Sequence, residues 1–153
     1  MKRRLVTLFA FCALSAAAVP SFSQDATELL RADLRATKTA ILTEAMDLDG
    51  PQSDVFWPIY REYEGELIKL NDEMLGMIKD YAANYGSMTD EVAKDLLKRG
   101  FTVRENRTKL LKKYSGKMEK SLSPKVAARW VQCEHAIAAA IDLQLAEELP
   151  LMN

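Results

Sequence analysis

From residue 56 to residue 81 the apolar side chains Phe56, Tyr60, Tyr63, Leu67, Leu70, Met74, Met77 and Tyr81 follow one another in alternating steps of four and three. A mean step of about 3.5 residues holds such side chains on one line of an α-helix, and that line must be covered along its length, as in a coiled coil. The 26 residues FWPIYREYEGELIKLNDEMLGMIKDY make a helix about 39 Å long. A chain that carries such a helix must supply others of similar length to bury it. Pro58 lies inside the pattern. It lacks a backbone donor and crowds the carbonyl of Asp54, which predicts a kink or a late helix start there.

Three further segments read the same way. ATELLRADLRATKTAILTEAMDL repeats apolar residues at Leu30, Leu34, Ile41, Ala45 and Leu48. DEVAKDLLKRGFTVRENRTKLLKKYSGKMEK gives Leu96, Val103, Leu110 and Tyr114, flanked by Leu97, Phe101, Leu111 and Met118. PKVAARWVQCEHAIAAAIDLQLAEEL carries Val126, Trp130, Ile137, Ile141 and Leu145. No segment alternates with the period of two that marks a strand. The expected fold is all-α, with four helices.

The junctions LDGPQ, MTDEV and LSPKV each place an apolar residue before Asp49, Thr89 or Ser123. These side chains accept hydrogen bonds from the unpaired amides of a first helical turn and so mark three N-caps. Asp49 and Gln52 have capping-box spacing, and Pro124 falls at the first helical position, where its missing donor costs nothing.

The N-terminus reads as a secretory signal peptide, residues 1–23. MKRR is followed by the 15-residue apolar run LVTLFAFCALSAAAV, and Ser21 and Ser23 take the −3 and −1 places of a cut before Gln24. That run is short for a membrane span, and no second one follows, so no integral span is expected after its removal. Cys12 follows Phe11, where a lipid-attachment site needs a small residue. Residues 24–153 then form one helical domain whose only cysteine is Cys133, so packing rather than a disulfide must stabilise it. Losing Lys2, Arg3 and Arg4 leaves 18 basic against 22 acidic residues. A secreted chain with that balance and no recognition motif is not expected to bind nucleic acid.

The capped junctions also resemble degenerate copies of the LTxxQ motif of the Spy/CpxP-like family, small helical proteins of the Gram-negative periplasm. FWPIYREYEGELIKLNDEMLGMIKDYAANYGSMTDE and LSPKVAARWVQCEHAIAAAIDLQLAEELPLM are similar to a secreted branch of that group. The resemblance implies a periplasmic location and four helices in long bent hairpins, often as a homodimer with a concave face. It implies one of three activities: an ATP-independent chaperone, an accessory protein of envelope stress signalling, or a metal-responsive sensor.

Side chains that carry chemistry are few. Cys133 and His135 are two residues apart, about 200° around a helix, and cannot chelate one ion together. Cys133 falls on the apolar stripe, where a free thiol acts as a small hydrophobe. His135 falls on the opposite face and is a metal candidate only if a symmetric dimer pairs it across its axis. Met74 and Met77 carry thioethers suited to Cu(I), but both sit on the heptad line and read as core. No phosphate loop, nucleophile elbow or placed histidine–carboxylate pair is present, so neither an enzyme nor a cofactor is expected.

Charge is the most informative pattern. Residues 94–120 hold ten basic and three acidic side chains, whereas residues 24–91 hold six basic and fifteen acidic. A basic third helix packed beside acidic neighbours accounts for this through modest surface attraction. It also offers a positive surface to acidic partners, whether unfolded polypeptides or anionic membranes. The sequence reading is therefore a periplasmic binding protein for unfolded or partly folded envelope proteins. Its client-binding candidates are Lys109, Lys112, Lys113 and Lys117, with Phe101 and Met118 supplying apolar contacts. A metal-responsive regulator using His135 and a purely structural envelope protein are the alternatives.

Overall fold

The computed structural model describes residues 35–152. The chain divides into two units, Met1–Ala36 and Thr37–Asn153, and the architecture below is that of the second. The expected signal peptide, residues 1–23, lies outside the described residues, as do Leu30 and Leu34 of the first helix.

Four α-helices make up the fold, with no strand among the described residues: α1, described over residues 35–46, α2 (Gly50–Asn84), α3 (Asp90–Ser121) and α4 (Pro124–Glu148). A 3-10 turn, Tyr85–Ser87, follows α2. The connections are short, so α2 with α3 and α3 with α4 form helical hairpins, and α3 packs against both neighbours. At 35 residues α2 is about 52 Å long.

Local chemistry sets the helix starts. Asp49 accepts from the amide of Gln52 at 2.8 Å while Gln52 reaches back to the amide of Asp49, a complete capping box. Thr89 and Ser123 accept from the amides of Val92 and Val126. The box starts α2 at Gly50, eight residues ahead of Pro58, so the late start that Pro58 predicted does not occur. Pro58 is exposed, and α2 continues through it.

The core lies where the four described helices meet. Leu42 and Met46 of α1, Phe56, Tyr60, Tyr63 and Leu67 of α2, Leu110, Tyr114 and Met118 of α3, and Ala127 and Trp130 of α4 form one buried cluster. Its centre is aromatic. Tyr63 meets Trp130 edge-on with ring centroids 4.9 Å apart and Tyr114 at 5.6 Å, and Phe56 stacks on Tyr60 at 5.8 Å. Toward the other end of α3, Leu96 and Val103 are buried, while Met74, Met77 and Tyr81 of α2 are half-buried.

Two apolar stripes differ from the sequence reading. On α1 the buried residues are Leu42 and Met46, whereas Ile41 is exposed, so the helix is turned about one residue from the expected face. On α4 the buried line runs Ala127, Trp130, Glu134, and Ile141 is exposed. The first difference traces to the carboxylate of Glu134.

Candidate functional site

Glu134 is the one charged residue buried among the described residues, with 6% of its surface exposed. It stands one turn after Trp130 on the core side of α4, with a charged group where helix packing calls for an apolar one. Its Oε2 accepts from Lys38 Nζ at 3.0 Å and from the Tyr63 hydroxyl at 2.9 Å. The Lys38 ammonium also lies 5.5 Å from the ring centres of both Tyr60 and Tyr63, within range of cation–π attraction. The negative charge is thus neutralised by a lysine from α1 and anchored by a hydroxyl from α2.

This arrangement explains the turn of α1. Lys38, Leu42 and Met46 are spaced four apart and share one face. Turning Leu42 and Met46 inward brings Lys38 to Glu134, and Ile41 is left outside. At the far end of α1, Arg129 of α4 donates to the carbonyl of Met46 at 3.0 Å and satisfies an acceptor that the helix end leaves open. The connector to α2 is only Asp47, Leu48 and Asp49, and Asp47 has φ 47°, the left-handed region that L-residues enter at a cost.

The seat under α1 is incompletely satisfied. Glu134 Oε1 and Trp130 Nε1 are buried without a hydrogen-bond partner, and the Tyr60 hydroxyl is buried with the Glu64 carboxylate beside it. Each unpartnered group costs on the order of 1–3 kcal/mol. Burial of Leu42 and Met46 contributes about 1.5–3 kcal/mol each in the opposite direction. Burial, and then the negative charge of Glu134, raise the pKa values of Tyr60 and Tyr63 far above the ordinary phenol value, so both hydroxyls remain protonated.

The second feature is the outer face of α3. Leu97 and Phe101, one turn apart, are 62% and 61% exposed. Lys94, Lys98 and Arg104 surround them, all exposed and without an ion-pair partner among the described residues. Lys112 continues the same face and is likewise unpaired.

The residues expected to bind a client divide between these environments. Phe101 and Lys112 are on the exposed face. Lys113 and Lys117 are not free cations: they donate to Glu66 and Glu62 of α2, each at 2.7 Å, and stand over the Tyr114 ring. Lys109 lies 3.8 Å from Glu105 on its own helix. Met118 is fully buried, which corrects its placement on a binding surface. It extends the line of Leu110 and Tyr114 by one turn and belongs to the core. The Glu66 carboxyl is held below the usual carboxylate range by hydrogen bonds from Lys113 and then Tyr114.

Cys133 is half-buried against the core and His135 is exposed, one on either side of Glu134. Among the described residues no group of three or more His, Cys, Asp or Glu side chains is arranged to hold a metal ion. None of the described helices is long and apolar enough to cross a membrane.

Glu134 and Lys38 were not singled out from sequence, and Tyr63 was read only as part of the apolar line of α2. The signal for Glu134 is its place four residues after Trp130 and three before Ile137, the spacing of a core position. Compared with models of protein families, with curated proteins and with solved structures, the chain matches none.

Proposed function

We propose that this chain is a periplasmic binding protein that holds acidic, partly unfolded polypeptides without ATP, and that the outer face of α3 is its contact surface. The observation that carries this reading is the exposure of Leu97 and Phe101 amid Lys94, Lys98 and Arg104. Two large apolar groups one helical turn apart supply weak, reversible contacts. Unpaired cations around them speed encounter with acidic segments and set a preference by charge. The basic character expected of the third helix remains, but its centre moves from Lys113 and Lys117, held by α2, toward the first half of α3.

The reading is tested by light scattering from an unfolding acidic client with the protein added at increasing ratio. Suppression near equimolar protein is expected. The triple variant Lys94→Glu, Lys98→Glu, Arg104→Glu should lose it while keeping its helicity, and Lys113→Gln should retain it. Equal suppression by the triple variant would remove α3 as the surface, and no suppression at excess wild-type protein would remove the chaperone reading.

A further inference from the structure

A fold held mainly by helix packing has one helix whose docking stands out. α1 is joined to α2 by three residues and seated by one buried charge pair, whose carboxylate keeps one oxygen, Glu134 Oε1, without a partner. Lifting α1 away takes Lys38 from Glu134 and lets water reach that carboxylate, whose Oε1 has no partner in the closed seat, and this offsets part of the apolar burial lost with Leu42 and Met46. It also frees Asp47 from its left-handed conformation. Opening is therefore cheap compared with separating α2, α3 and α4, whose facing surfaces are apolar and whose lysines at Lys113 and Lys117 meet carboxylates at the surface.

An opened chain has two surfaces in search of a complement. One is the face of Lys38, Leu42 and Met46. The other is the aromatic seat of Tyr60, Tyr63 and Trp130 with its carboxylate. The seat demands a helix with a cation, then an aliphatic group one turn later, then another apolar group two turns later. The helix known to meet that demand in full is α1 itself. A short strained connector favours the exchange, because an extended hinge relieves the strain while every contact of the seat is remade.

We infer that α1 exchanges between two copies of this chain, Lys38 of one closing on Glu134 of the partner subunit and the reverse, so that each seat is completed by the other copy. This stands apart from the client-binding reading, since it uses a different face and neither requires the other.

Charge reversal separates exchange from simple opening. Lys38→Glu alone sets two carboxylates against each other, and Glu134→Lys alone sets two ammonium groups together, so neither variant closes its own seat. Mixed in equal amounts, they complete both seats only by exchanging α1. Native mass spectrometry is expected to show a dimer with one copy of each, and hydrogen exchange to show recovered protection of residues 37–46. A mixture that behaves as the sum of its parts, while the double variant Lys38→Glu/Glu134→Lys closes as a monomer, overturns the inference. If the reversed pair fails to close even there, the wild-type chain decides. Light and heavy isotopic copies incubated at high concentration should form mixed dimers. Asp47→Val, which disfavours the left-handed hinge, should raise their fraction constant roughly ten-fold. Wild-type protein that stays monomeric throughout overturns the exchange.

Discussion

Replacing Lys38 by Met tests whether the Glu134 pair governs α1. The methionine keeps most of the volume and the aliphatic stem of Lys38 but removes the positive charge 3.0 Å from Glu134 Oε2. Glu134 would then be a carboxylate with the Tyr63 hydroxyl as its one remaining donor and Oε1 still unpartnered. Removing one partner of a buried pair costs about 3–5 kcal/mol. The chain has an escape, because α1 can lift and hydrate the carboxylate. The price of lifting is the burial of Leu42 and Met46, together about 3–6 kcal/mol at about 1.5–3 kcal/mol per side chain. The two quantities are of the same size, so Lys38→Met should bring α1 to the edge of undocking.

Hydrogen exchange resolved along the chain is the assay. Protection of residues 37–46 should collapse in Lys38→Met, while amides around Leu96 and Val103 on α3 keep theirs. The double variant Lys38→Met/Glu134→Leu should recover α1 protection to the wild-type level or above, because a packed apolar pair of similar size commonly equals or exceeds a buried ion pair. A cycle in which the single changes add would refute the coupling. So would a Lys38→Met protein whose α1 is as protected as before, since that would mean Glu134 had never depended on Lys38.

Other perturbations distinguish core from surface. Met118→Ala should destabilise by about 2–5 kcal/mol in denaturant titration, as expected for emptying a fully buried methionine site, whereas Phe101→Ser should leave stability nearly unchanged and weaken client binding. Ser123→Ala should lower stability by about 1 kcal/mol through the lost acceptor for the amide of Val126, read as a shifted denaturant midpoint at constant slope. Alkaline stability should fall above pH 10. Burial, and then the bond to Glu66, push the Tyr114 phenol from 10.0 up to about 12. A raised folded pKa gives stability that is complete below the unfolded value and lost as pH rises toward the folded one. Tyr60 and Tyr63 shift in the same direction, so unfolding in this window should be steep, with tyrosinate absorbance rising in step with loss of helicity. Gradual ionisation at full helicity would contradict it.

The parts of this fold that could be read from sequence are those whose constraint is local. The α2 stripe from Phe56 to Leu67 and the α3 stripe from Leu96 to Tyr114 are buried along the repeats that announced them, because long helices with one apolar line have one way to face a partner. The capping residues act within three residues of themselves. α1 was legible only in part. TKTAILTEAM offers two apolar lines, one through Ile41 and Ala45 and one through Leu42 and Met46, and the second begins with a lysine. Which line turns inward depends on a carboxylate 96 residues away on another helix. Glu134 in turn drew no reading from sequence, since its role appears only beside Lys38 and Tyr63. The same reasoning applies to Lys113 and Lys117. Their charge was visible, and so was its pairing with acidic neighbours as one reading, but not which lysines α2 would take up and which it would leave free.

Glu134 restricts what else this end of the molecule can do. An apolar residue there would let α1 settle in either of its two faces, or slide by a turn, at little difference in energy. A buried carboxylate accepts only the face and register that deliver a cation to it, at some cost in stability. The opposite half of the α2–α3 hairpin is under no such constraint, and there α3 leaves Leu97 and Phe101 in solvent among unpaired cations. Separating the two suits the client-binding role proposed above. A surface of exposed apolar groups is a hazard to its own fold if it can compete for the core, and a core whose first helix is keyed by charge does not admit Leu97 or Phe101 in place of Lys38 and Leu42. Replacing Glu134 by Leu alone leaves the Lys38 ammonium without its counter-charge, so α1 must lift or turn another face inward: hydrogen exchange of residues 37–46 should split into more than one population, while amides around Leu96 and Val103 keep their protection.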